Sequence, residues 1–281
     1  VGYLRNIKDM GIILIDITNA CNKSCSNCTR FCGHFTKDKL YYMGLDYFEK
    51  AAKTLVDYSE SGDDKIVGVM GGEPTLHPQF AEICEIFKST IPNKKKRGLW
   101  SNTTTPQFTK HKDIIAETFG VFNLNDHITH PIKHTPILTA IEDFKDISDG
   151  DKLKFIDNCW VQNCWSATIN MKGAFFCEVC ACMSNLFDGV DGWDIEKNPD
   201  WWKKELPEYK KQIEWSCKKC GCCLPLTPRR SNEEFDDVSI SNIDRLIEVK
   251  SPKVLKAKFH LMDCGKDSLD MTQKRNCAWY W

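Results

Sequence analysis

"GIILIDITNACNKSCSNC" (11–28) decides the fold. Its first part is apolar and β-branched, which predicts a buried strand over residues 11–21. Its end places Cys21, Cys25 and Cys28 in one short loop. A structural zinc site wants four ligands in a closed tetrahedron, and a [4Fe–4S] cluster usually takes four thiolates. Three thiolates from one loop leave one iron of such a cluster open to a substrate or cosubstrate.

Outward from that loop, strand and helix patterns alternate. "YFEKAAKTLVDYSE" (47–60), "QFAEICEIFKST" (79–90) and "HKDIIAETFG" (111–120) carry apolar residues at helical spacing. "KIVGVMGGEP" (65–74), "RGLWSNTTT" (97–105) and "VFNLND" (121–126) read as strands. The alternation predicts an α/β fold with a parallel sheet and right-handed crossovers. Ligands then bind at the carboxyl ends of the strands. The cysteine loop, "GGEP", "SNTT" and "NLND" all fall there, facing one mouth. Beyond residue 150 the pattern changes. "SATINMKGAFFCEV" (166–179) reads as a β-hairpin turning at Met171–Gly173, and "VSISNIDRLIEV" (238–249) as a final helix.

Composition narrows the chemistry. The chain has 281 residues, 27% of them charged, with a formal net charge of -1, so nothing calls for a nucleic-acid backbone as partner. The basic run "NKKKRG" (93–98) reads as a solvated turn. No apolar stretch of about 18 residues predicts a membrane span, and no signal peptide is visible. The 16 cysteines are bunched at close spacings, which suits metal ligation in a reducing compartment, hence the cytoplasm, better than disulfides.

"CNKSCSNC" (21–28) after the first strand and "GGEP" (71–74) after the second together resemble the CxxxCxxC loop and glycine-rich motif of the radical S-adenosylmethionine (radical SAM) enzymes. The resemblance implies a partial (β/α)6 barrel over residues 1–150. It implies a [4Fe–4S] cluster on Cys21, Cys25 and Cys28, with S-adenosylmethionine chelating the fourth iron. Reductive cleavage would give a 5'-deoxyadenosyl radical that takes hydrogen from a substrate. Gly71, Gly72, Glu73 and Pro74 would meet the methionine moiety, and Ser101 and Asn102 the ribose. Asn125, with Asn123, is a candidate ligand contact. A reductant such as flavodoxin or ferredoxin would supply the electron. One departure is Asn27, where many relatives carry an aromatic residue near the adenine, with Phe31 as the candidate substitute. Cys32 and Cys84 read as buried packing thiols.

Eleven cysteines lie between 159 and 277. Some radical SAM enzymes carry a C-terminal extension called twitch or SPASM, in which cysteines flank a hairpin glycine and a distal CxxC follows. Thirteen residues separate Cys159 from Gly173, and three separate Gly173 from Cys177, one fewer than that pattern has. "CKKC" supplies Cys217 and Cys220. The resemblance thus implies a C-terminal cysteine-rich β-hairpin/α auxiliary-cluster domain over 151–225. It would hold a second auxiliary [4Fe–4S] cluster on Cys159, Cys177, Cys217 and Cys220, with Cys164 the rival of Cys159 and zinc the alternative occupant. Residues 226–281, ending in "CAWYW", are expected to cap the barrel. His127, His130 and His134 read as ordinary loop histidines or substrate contacts, and Arg229 and Arg230 as a surface pair or an anion site.

The favoured expectation is oxidation or epimerization of a small molecule: a sugar, cyclitol or amino-acid derivative. It rests on the resemblance to twitch-bearing enzymes such as an aminocyclitol dehydrogenase. The alternatives are a maturase that crosslinks or epimerizes a ribosomal peptide, and a non-enzymatic iron–sulfur or zinc regulator. The first strand begins near residue 11, which leaves no room ahead of it for a leader-binding domain and lowers the maturase reading.

Overall fold

The computed structural model describes residues 5–129, 131–164 and 167–272. Three strand–helix repeats and a fourth strand open it: β1 (Ile12–Asp16), α1 (Leu45–Thr54), β2 (Ile66–Met70), α2 (Phe80–Thr90), β3 (Arg97–Ser101), α3 (Lys112–Thr118) and β4 (Val121–Leu124). Their parallel ladder runs in chain order. In α2 the residues Phe80, Ile83, Cys84 and Phe87 recur at helical spacing and are buried, so Cys84 is a core thiol.

Side-chain alternation divides the sheet faces. Space a side chain would need at Gly68 is filled by Leu14 and the Trp100 ring, so these residues share one face. Asp16, two residues past Leu14, lies on that face too. Ile13, Ile15, Val67, Val69 and Leu99 alternate onto the opposite face, where right-handed crossovers carry α1 to α3. Ring contacts of Phe48 with Phe87 and of Phe87 with Phe119 join the successive crossovers.

After β4 the chain forms the short β5 (Lys133–His134) and then reaches the hairpin β6 (Ala167–Asn170) and β7 (Gly173–Phe175). β6 pairs parallel with β1 on the side away from β2, and β7 pairs antiparallel with β6. The sheet order is β4-β3-β2-β1-β6-β7. Six strands, five of them parallel, are consistent with a partial barrel. Two of the six come from the hairpin, however, and not from further strand–helix repeats after β4. β1 therefore sits inside the sheet, not at its edge. The main core contains Ile12, Phe175 and Val238 in one cluster, so it runs through all three sequence segments.

α4 (Glu178–Phe187) follows the hairpin directly and lies on the Asp16 face: Asn170 donates to the Ala181 carbonyl and the Cys182 thiol to Asp16. The remaining elements are α5 (Lys210–Ser216), β8 (Arg229–Arg230), β9 (Asp236–Val238), α6 (Ile240–Glu248), α7 (Pro252–Leu255) and β10 (Phe259–Leu261). β8 pairs antiparallel with β5, and β9 pairs parallel with β10.

Candidate functional site

The two glycines after β2 are required by close approach of backbone to backbone. Gly71 has φ +137°, and a Cβ there would lie 2.1 Å from the Thr18 carbonyl oxygen. A Cβ on Gly72 would lie 2.2 Å from that of Ala20. Gly72 and Glu73 donate their N–H groups to those carbonyls, each at 2.8 Å. The "GGEP" turn is thus seated against the three residues that lead into Cys21.

Glu73 is fully buried and bonded within the protein. Its Oε1 accepts from Ser101 Oγ at 2.8 Å and from Thr75 N and Oγ1, while Oε2 accepts from Asn102 N at 2.7 Å. Pro74, also buried, opens the short turn that Glu73 caps. Asn102 in turn donates to Asn22 Oδ1 at 2.7 Å and to Cys21 Sγ at 3.6 Å. So Glu73, Ser101 and Asn102 bind the loops after β1, β2 and β3 to one another. Asn125 accepts from His127 N at 2.8 Å and donates its own N–H to Ser101, while Asn123 is half-buried on β4.

The cysteine loop is clamped from the far end of the chain. Asn27 adopts φ +48°, in the left-handed region that Asn tolerates. Its side chain bonds Asp237 twice, donating to Oδ2 and accepting from N, each at 2.9 Å. This explains Asn in place of an aromatic residue. Beside it, Asp236 accepts from Lys253 at 2.7 Å and Asn27 N, and pairs with His34 at 2.7 Å; Lys253 also donates to the Cys25 carbonyl at 3.0 Å. Burial pushes the Asp236 carboxyl up, and the bond from His34 with the Lys253 charge more than offsets it, leaving it below the usual range. Phe31 is buried in the main core.

Cys32, read from sequence as packing, joins the group: its thiol hydrogen-bonds with those of Cys21 and Cys28. That bond, working against burial, lowers the Cys28 thiol to about 5, with His134 contributing. His134 itself bonds the Ser26 carbonyl at 2.7 Å and meets His127 edge-on. His130 lies outside the described residues. Arg229 is committed internally, to Asp237 and Glu233, rather than open to an anion.

Cys159, Cys177, Cys217 and Cys220 line one cavity with Cys180, Cys222 and Cys223. Burial, reinforced by the neighbouring cysteines, pushes the Cys177 and Cys217 thiols well up. The Cys164 side chain and Cys277 lie outside the described residues. Among the described residues, no three or more His, Cys, Asp or Glu side chains converge as ligands of a single metal ion would. Both cysteine groups nevertheless offer the donor chemistry of an iron–sulfur cluster, whose thiolates sit on separate irons. Among the described residues no helix is long and apolar enough to cross a membrane.

Sequence reading passed over Asp16, Arg30 and Glu178, which meet on the sheet face that carries α4. Burial, opposed by the Arg30 charge, raises the Asp16 carboxyl to about 6 from 3.8. A folded value above the unfolded one means that stability is fully present below pH 4 and is lost as pH rises through about 6. The loss is about 3 kcal/mol. Urea denaturation between pH 4 and 7 should show this fall, and Asp16→Asn should remove it. An identical pH profile in the variant would refute the assignment.

The chain matches no protein-family model and no curated protein. Among solved structures it is similar to BtrN in complex with AdoMet and 2-DOIA, at TM-score 0.49 and 14% identity, covering 75% of this chain and 92% of that one. It is similar also to selenomethionine BtrN in an open conformation, at TM-score 0.47 and 13% identity, covering 75% and 88%.

Proposed function

We propose that this protein is a radical SAM enzyme that abstracts hydrogen from a small-molecule substrate (a sugar, cyclitol or amino-acid derivative), giving oxidation or epimerization. The observation that carries the reading is the locking of "GGEP" onto the cysteine loop. A glycine pair with no room for Cβ holds the Cys21 to Cys28 loop at the carboxyl ends of β1 and β2. When bound, the cluster with its chelated S-adenosylmethionine supplies the hydrogen-abstracting radical. The chain's residues do the rest. Cys21, Cys25 and Cys28 would hold three irons. Gly71 and Gly72 bring backbone against that loop, while Glu73, Ser101 and Asn102 fix the neighbouring loops. Asn102 and Lys23 N–H groups point at Cys21 Sγ, at 3.6 and 3.4 Å, which would tune the bound metal. Cys159, Cys177, Cys217 and Cys220 would hold the auxiliary cluster, and flavodoxin or ferredoxin would deliver electrons.

The test is anaerobic loading with iron and sulfide, then dithionite and S-adenosylmethionine. About eight irons per chain and formation of 5'-deoxyadenosine are expected. Loaded protein that makes none, with or without candidate substrates, would sink the reading.

Cys32 favours a second reading: four thiolates closing the first cluster, with no open iron and no S-adenosylmethionine bound. Cys32→Ala decides. Unchanged iron with 5'-deoxyadenosine formation within about twofold of the parent keeps the three-thiolate enzyme; a loss of about four irons favours the closed cluster.

A further inference from the structure

Three charged side chains that the proposed chemistry has not used lie between the two cysteine groups. Asp16 closes β1. Arg30 follows Cys28 by two residues, and Glu178 directly follows Cys177. The guanidinium Nη2 donates to Glu178 Oε2 at 3.0 Å and to Met70 Sδ at 3.0 Å, while Nε lies 3.4 Å from Asp16 Oδ2. Cys182 donates its thiol to the same Asp16 oxygen at 3.5 Å. No side chain of the three is more than 3% exposed.

Two features separate this set from a structural ion pair. Two carboxylates face one guanidinium, so the ionised set carries an excess negative charge. And Asp16 Oδ1 and Arg30 Nε and Nη1 are buried with no hydrogen-bond partner. Leaving such groups unmet is costly in a site shielded from water. Asp236, equally buried, shows the other case: both of its oxygens are bonded. The unsaturated set lies at the carboxyl ends of β1 and β2, where open α/β sheets take their ligands.

We propose that Asp16, Arg30 and Glu178 recognise the substrate, and that they select a hydroxylated small molecule without an anionic group. This rests on the radical SAM reading and narrows it. A hydroxyl is suited to such a set, because it can donate to Asp16 Oδ1 and accept from an open Arg30 N–H. A phosphate or carboxylate would add charge to a site already negative and largely cut off from water, where like charges repel strongly. An ammonium on the substrate would offset the excess. The inference therefore disfavours phosphorylated sugars and free amino acids among the candidates.

Matched probes that differ only in an anionic group test it: glucosamine against glucosamine 6-phosphate, myo-inositol against inositol 1-phosphate, and serinol against L-serine. Binding to the iron-loaded protein with S-adenosylmethionine is measured by calorimetry. In at least one pair the non-anionic member should bind about tenfold tighter, and Asp16→Asn should weaken it about tenfold. Glu178→Gln serves as a second variant if Asp16→Asn fails to load iron. Preference for the anionic members, affinity indifferent to the variants, or no saturable binding by any probe each overturns the inference. Formation of 5'-deoxyadenosine is read separately. Cleavage without the selectivity leaves the radical reading standing, and selectivity without cleavage sinks that reading alone.

Discussion

Cys25→Ala should remove about four of about eight irons and abolish 5'-deoxyadenosine formation, whereas Cys217→Ala should lose the other four and keep cleavage within about tenfold. The contrast follows from where the two groups sit. Cys25 is 7% exposed, and its backbone carbonyl is held by Lys253, whose partner Asp236 also holds the loop at Asn27. Cys25 lies in electrostatic contact with Cys21 and Cys28, and burial with those neighbours pushes its thiol up. On the proposed reading Cys25 is one of three ligands, and its removal would leave too few to hold a cube. Cys217 belongs to the separate cavity with Cys159, Cys177 and Cys220, where a lost thiol leaves the first loop intact. Iron analysis with product detection on both variants decides. Loss of all iron from either variant would mean one shared site; full iron in both would mean that neither thiol is a ligand. Retention of four irons by Cys217→Ala along with one equivalent of zinc would assign the second cavity to zinc.

Gly71→Ala should cost about 3–5 kcal/mol and prevent loading of the first cluster. Backbone strain at φ +137° contributes about 1–3 kcal/mol. The rest comes from the overlap 2.1 Å from the Thr18 oxygen, which no flexible side chain can relieve. The two loops must separate, breaking the Gly72 to Thr18 and Glu73 to Ala20 bonds, each worth about 1 kcal/mol. Against a total stability of about 5–15 kcal/mol this is a large fraction. Gly150→Ala is the control. It lies in the helix Asp149–Asp157, where an added Cβ meets nothing closer than 3.9 Å, and it should stabilise by up to about 1 kcal/mol. Urea denaturation of both variants reads the contrast. Equal midpoints would show that the "GGEP" turn is not seated against the cysteine loop.

Much of the site is legible in local sequence. Periodicity places the first four strands and their crossovers, because each repeat buries one face of its own strand or helix. Spacing selects Cys21, Cys25 and Cys28, since a short loop can only keep them together. Cys159, Cys177, Cys217 and Cys220 are named only by the resemblance to the twitch extension, and it is the fold that lines one cavity with them.

The rest needed the tertiary structure. β6 joins β1, and the hairpin thus becomes part of the main sheet, through pairing that spans more than a hundred residues. Nothing near residue 167 announces it, because any exposed parallel edge offers the same ladder. Glu73 reads in sequence as a ligand group and turns out to tie three loops together, since its hydrogen-bond partners at 101 and 102 come from another strand. Asn27 and the set of Asp16, Arg30 and Glu178 gain their meaning from residues distant in the chain. What the sequence determined by itself was chemistry carried by spacing within one turn or one loop. Which charges are buried, what completes their hydrogen bonds and which are left open depend on surfaces brought together only by folding.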